Sequence, residues 1–220
     1  MHTGKIIAML NPKNCRFDIG SGGIPSLVST DVAAALGMVP DGLGREILCR
    51  VWWPDGAKLT AHQLRELVDA KMRGEWARRE SSMLDALLAV AQRGNRAQRT
   101  YSEAHAARWP RMVVREHEVP QLAPGYAKVR DAIITELASA GLCQACHGRG
   151  QVANDMRVSR TCKECSGEGH MRLSERSRAD LCGFSWKTYR EGWAGVYDWV
   201  FQACTDELHR AERLFQRALS

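Results

Sequence analysis

Apolar positions recur at helical spacing over most of the chain. Leu64, Leu67, Val68 and Met72 mark a helix opened by Thr60, with Gln63 completing a capping box. Leu84, Leu87, Leu88 and Ala91 mark another, and Tyr126, Val129, Ile133 and Leu137 a third that Gly141 ends. Ser29-Thr30-Asp31 is expected to cap a short helix from Val32 to Leu36, closed by Gly37. Beyond Cys204, Leu208, Ala211, Phe215 and Ala218 continue an amphipathic helix to the C-terminus. Stripes of this kind are expected to be core. Residues 1–28 hold Pro12, Pro25 and several glycines with little periodicity and read as a flexible arm; residues 93–122 are basic and interrupted by Pro110 and Pro120.

The pattern changes character at 173–200. Ser174 can cap a short helix ending at Cys182, and Gly183 supplies the left-handed residue that stops it. Ser185 can cap a second helix at once, with Tyr189, Trp193, Val196 and Val200 as its apolar stripe. Ala179, four residues before Gly183, leaves room for a close crossing, and Phe184 can plug the angle between the helices. This is the layout of a helix-turn-helix. In such a unit the second helix enters the major groove, and its outward residues here are Ser185, Trp186, Lys187, Thr188, Arg190 and Glu191. Lys187 and Arg190 can reach guanine edges or phosphates, and Thr188 suits a phosphate or a thymine methyl. A plain helical hairpin with a basic surface satisfies the same pattern. Arg178 occupies a position that a core residue often takes in such a unit.

Composition narrows the class. The 220 residues are 45% hydrophobic and 25% charged, which excludes a wholly disordered chain. No stretch approaches the ~18 apolar residues of a membrane span, and the apolar run from Ile6 to Leu10 is too short for a secretory signal. The expectation is a soluble intracellular protein with no membrane partner. Net charge is +6, and residues 71–115 hold ten basic against four acidic groups, so one segment carries the whole imbalance. It is either a phosphate-seeking surface or a solvated helix face. There is no phosphate-binding glycine loop and no nucleophile–base pairing, so an enzyme is not expected.

The cysteines supply the candidate chemistry. Cys15, Cys49, Cys182 and Cys204 stand singly, the last two at apolar positions of predicted helices. Cys143, Cys146, Cys162 and Cys165 form C-x2-C-x15-C-x2-C, a four-thiolate zinc spacing. Each pair is C-x-x-C-x-G-x-G, as in Cys143-Gln-Ala-Cys146-His147-Gly148-Arg149-Gly150 and Cys162-Lys-Glu-Cys165-Ser166-Gly167-Glu168-Gly169. Glycine after the CxxC turn allows φ > 0, so the chain folds back over the sulfurs. Four sulfurs leave no position for water, which makes one zinc ion structural rather than catalytic. An iron–sulfur centre fits four cysteines as well, though the paired glycines favour zinc. His147 and His170 lie near enough to substitute as ligands. The predicted fold is mainly α, with a four-cysteine zinc-knuckle insertion in a helical body, then a helix-turn-helix and a long C-terminal helix. The expected domains are an arm at 1–28, a helical body at 29–141, a zinc module at 142–172 and the helix-turn-helix with its following helix at 173–220.

This order of features resembles the Q-type late-gene antitermination proteins of lambdoid phages. The resemblance rests on the segment from Thr30 to Met38, Tyr126-Ala127-Lys128-Val129, the paired knuckles, the helix-turn-helix and Tyr197-Asp198. It covers residues 125–215 and a short stretch near 30–39; the 71–115 segment has no counterpart in it. The knuckle repeat alone also occurs in Hsp40-type chaperones, but this chain has no His-Pro-Asp tripeptide. The resemblance implies a phage-encoded factor in the bacterial host cytoplasm, at the nucleoid. Such a factor binds a double-stranded DNA element in the late promoter, engages paused RNA polymerase with its sigma factor, and permits read-through of terminators into late genes. Nascent RNA and a second copy of the chain are further partners compatible with it. Cys143, Cys146, Cys162 and Cys165 carry over as metal ligands, and the helix from Ser185 as the DNA reader. Two other functions stay open: a zinc-containing helix-turn-helix regulator of initiation, and an Hsp40-like module that binds protein.

Overall fold

The chain is mainly helical, as expected. The computed structural model describes residues 3–7, 10, 28–111, 123–138, 143, 145, 151–153, 159–165, 167, 171 and 173–219. These divide into two compact units. Among the described residues no helix is long and apolar enough to cross a membrane.

The first unit comprises residues 1–64, 134–174 and 203–220. It contains α1 (Thr3–Ile7), α2 (Ser29–Gly37) and α3 (Leu43–Trp52), and part of α9 (Ala194–Leu219). Its core joins Ile6, Ile7, Val32, Leu36, Leu48 and Cys49 to Ala211 and Phe215. Thr3–Ile7 therefore forms a helix with buried residues inside the stretch expected to be a flexible arm. Helix α2 starts three residues before the expected Val32, and the Asp31 carboxylate accepts the Val28 N–H at 3.1 Å. Glycine at position 44 lets α3 approach α9: a Cβ there would stand 2.0 Å from the Glu207 carbonyl oxygen. The Glu46 carboxylate is buried, and it accepts the N–H groups of Lys58 and Leu59 at 3.0 and 3.1 Å and Arg50 Nε at 2.8 Å. This fixes the loop that leads into α4 (Ala61–Arg93). The capping box forms: Thr60 N–H donates to Gln63 Oε1 at 2.8 Å, and Gln63 N–H donates to Thr60 Oγ1 at 3.2 Å.

The second unit comprises residues 65–133 and 175–202. Helix α4 runs unbroken through Gly74, so the two stripes expected to mark separate helices lie on one helix of 33 residues. Val68, Met72, Met83 and Ala86 face inward, whereas Leu84, Leu87 and Leu88 are 60%, 43% and 60% exposed. The expectation that this second stripe is core is overturned. Helix α5 (Gln98–Ala106) is followed by Trp109, which is buried against Tyr126 and, edge-on at 5.5 Å, against Trp199. The Pro110 carbonyl accepts both Trp76 Nε1–H at 3.2 Å and the Tyr126 hydroxyl at 2.5 Å, binding this segment to α6 (Pro124–Ala138). Burial pushes the Tyr126 phenol above its ordinary range.

Several basic groups of the 71–115 segment are ion-paired within the chain. Arg78 and Arg79 pair with Glu75, Arg108 with Glu80, Arg99 with Glu103 and Arg73 with Glu66. Arg79 also lies over the Trp109 ring at 4.8 Å. These pairs form a structural network on α4 and its neighbours, and because most of their carboxylates belong to the segment itself, its net positive excess remains.

Candidate metal centre and nucleic-acid interface

The cysteine cluster lies in the first unit. A hairpin of β1 (Gln151–Ala153) and β2 (Ser159–Thr161) pairs Gln151 with Thr161 and Val152 with Arg160. The hairpin reverses the chain between the two CxxC pairs and delivers Cys162 directly from the end of β2. Downstream of the cluster, the Leu173 N–H donates to the buried Glu136 carboxylate at 3.1 Å, which ties the exit of the module to the end of α6.

Cys143, Cys162 and Cys165 are buried, at 0%, 2% and 6% exposure, and their sulfurs lie within 4.8 Å of one another. The Cys143 and Cys162 Sγ atoms are 3.8 Å apart. A disulfide would need about 2.05 Å. Sulfurs held tetrahedrally at ~2.3 Å from one ion are about 3.8 Å apart, so the spacing fits thiolates around a zinc-sized cation. After the second CxxC, Gly167 takes φ +92°, and its N–H donates to the Cys162 carbonyl at 3.1 Å. Cys146, the expected fourth ligand, lies outside the described residues, as do His147 and His170. Three buried thiols are therefore the possible metal site shown directly. Cys49, Cys182 and Cys204 are buried apart from this cluster.

The helix pair of the second unit is formed by α7 (Glu175–Leu181) and a helix that begins with α8 (Trp186–Thr188), passes through a π turn at Tyr189–Trp193 and continues as α9. Gly183 at φ +64° ends α7. Its N–H donates to the Asp180 carbonyl at 2.9 Å and the Phe184 N–H donates to the Ala179 carbonyl at 3.0 Å, the paired bonds of a Schellman turn. Ser185 caps α8: its Oγ accepts the Thr188 N–H at 3.1 Å. Phe184 stacks on Trp193 at 5.3 Å, and Lys128 of α6 lies over the Phe184 ring at 5.2 Å.

Two features of this pair were not legible in the stripe. The π turn inserts one residue, with the Ala194 N–H donating to the Tyr189 carbonyl. In a regular helix residues eight apart differ by roughly 80° in direction; one inserted residue reduces this to roughly 20°. Tyr189 and Tyr197 are thereby both buried on one face, in edge contact at 6.0 Å. Arg178 is buried rather than solvated. Its guanidinium lies 4.8 Å from the centroids of both Tyr197 and Phe201 and donates to Asp198 Oδ1 at 3.0 Å.

Ser185, Trp186, Lys187, Thr188, Arg190 and Glu191 are all exposed. Trp186 lies partly over Tyr189, with ring centroids 6.4 Å apart. Among the described residues no carboxylate forms an ion pair with Lys187 or Arg190. No protein-family model and no curated protein sequence matches this chain.

Proposed function

We propose that the chain is a phage transcription antitermination factor of the Q type, in which Cys143, Cys146, Cys162 and Cys165 hold one structural zinc ion and the helix from Ser185 reads promoter DNA. The observation that carries the reading is the face from Ser185 to Arg190. The opposite side of the same helix is buried on aromatic residues, while Lys187 and Arg190 project without a carboxylate partner among the described residues. Two such cations on the first turns of a helix suit phosphates and guanine edges. The left-handed turn at Gly183 and the small, buried Ala179 suit the close crossing expected of a helix-turn-helix. The knuckle-to-helix-pair order of the sequence adds the antitermination reading to that of DNA binding.

The zinc would neutralise thiolate charge and order a segment poor in large apolar residues, for roughly 10–16 kcal/mol of apparent binding energy. A gel shift on genomic fragments flanking the coding sequence tests the DNA contact. Lys187→Ala with Arg190→Ala is expected to abolish the specific complex while leaving the circular dichroism spectrum unchanged. Unchanged affinity in that double variant refutes the assignment.

A further inference from the structure

Helix α4 carries an apolar stripe that its own unit does not use. It runs from Leu67 to Ala91 at alternating steps of three and four, the 3.5-residue repeat of a helix that packs along another helix. Every member is exposed, the leucines at positions 67, 84 and 88 by 37%, 60% and 60%. Single exposed leucines are ordinary. A seam sustained over the length of a 33-residue helix is not.

The order of large and small residues identifies the occupant. We propose that α4 pairs antiparallel with α4 of a second copy of this chain, about a two-fold axis at residue 79. In that register Leu67 meets the partner's Ala91, and Gly74 meets the partner's Leu84. Ala77 meets the partner's Ser81, and Leu88 meets the partner's Ala70. Each leucine faces a small residue, so the layers fill evenly and the central small residues let the backbones approach. A parallel pair would instead set leucine on leucine at the ends and Gly74 on the partner's Gly74 between them. It would also bring Arg73 towards the partner's Arg78 and Glu80 towards the partner's Asp85 on both sides, four repulsive approaches against two attractive ones of Glu66 to the partner's Lys71. The antiparallel pair sets Lys71 against the partner's Asp85 twice, and its repulsive approaches are only two, Arg78 to the partner's Arg78 and Glu80 to the partner's Glu80 at the axis; Asp85 has no ion-pair partner among the described residues. A two-fold contact of this kind closes on itself and yields a dimer rather than a fibre.

The test is sedimentation equilibrium of the full chain. The wild type is expected to be a dimer in the micromolar range, and Leu84→Asp with Leu88→Asp a folded monomer, because both side chains are exposed in the single chain. The sharper variant is Gly74→Leu. Nothing lies within 4 Å of a Cβ there, and leucine is the better helix former, so the single chain tolerates it. Yet it overfills two symmetric layers and should weaken the dimer by about tenfold or more. Adding Leu84→Ala to Gly74→Leu should restore association. A wild type that stays monomeric into the millimolar range overturns the proposal, as does tighter association of Gly74→Leu or a dimer indifferent to the aspartates.

Discussion

Arg178→Ala tests how the helix pair is held together. The guanidinium sits between α7 and the following helix, 5% exposed as a residue, with two aromatic rings at 4.8 Å and one carboxylate at 3.0 Å. The Asp198 side chain is 60% exposed, so its ion pair is screened and contributes about 0.2–1 kcal/mol. Two partly desolvated cation–π contacts contribute ~0.5–2 kcal/mol each, and the aliphatic stem adds packing. Arg178→Ala should therefore cost about 2–4 kcal/mol and Asp198→Asn less than about 1 kcal/mol. Arg178→Lys should retain only part of the difference, since an ammonium lacks the planar face that stacks on both rings. Urea unfolding followed by tryptophan fluorescence reads the three variants against the wild type. An Asp198→Asn loss equal to that of Arg178→Ala would show that the ion pair, not the aromatic clamp, joins the helices. A loss below about 0.5 kcal/mol for Arg178→Ala would refute the clamp altogether.

Three further outcomes follow from the same geometry. Elemental analysis of the purified chain should find about one zinc per molecule, and Cys162→Ser should release it and expose the 143–169 segment to proteolysis; neither zinc nor iron in the wild type would contradict the site. Nothing crowds a Cβ at Gly183, so the cost of substitution there is that of its positive φ: Gly183→Val should cost about 1–2 kcal/mol, and Gly183→Asn less, since asparagine tolerates the left-handed region. Arg78 and Arg108 hold the Glu75 and Glu80 carboxyls below the ordinary carboxylate range. The folded state then binds fewer protons than the unfolded one. The resulting stability is complete above the ordinary glutamate pKa and is lost as pH falls through the depressed folded values. Glu75→Gln should flatten that acid limb of a urea-midpoint profile, and an unaltered limb would count against the network.

The helical class, the Thr60 capping box, the Gly183 stop and three clustered cysteines were legible because each depends on local spacing. The Leu84, Leu87 and Leu88 stripe misled because periodicity reports an apolar face without saying what covers it. The core of α4 is built instead from Met83, Ala86 and the positions before them, one helical face away. Arg178 stood out at a core position, but what it packs against was not legible, because its partners lie about twenty positions downstream and a π turn shifts the register between them. Composition counts the charges of the basic segment but not their pairing; Glu75 alone engages two of its arginines.

Terminator read-through is the measurement closest to the functional claim. Transcription would be run with purified bacterial RNA polymerase from the DNA fragment that the chain retards in the gel shift, with a strong terminator placed downstream. Wild-type protein is predicted to increase the full-length transcript without altering the number of initiations, and Lys187→Ala with Arg190→Ala to abolish that increase. An unchanged read-through fraction alongside altered initiation would contradict antitermination and leave a regulator of initiation in its place.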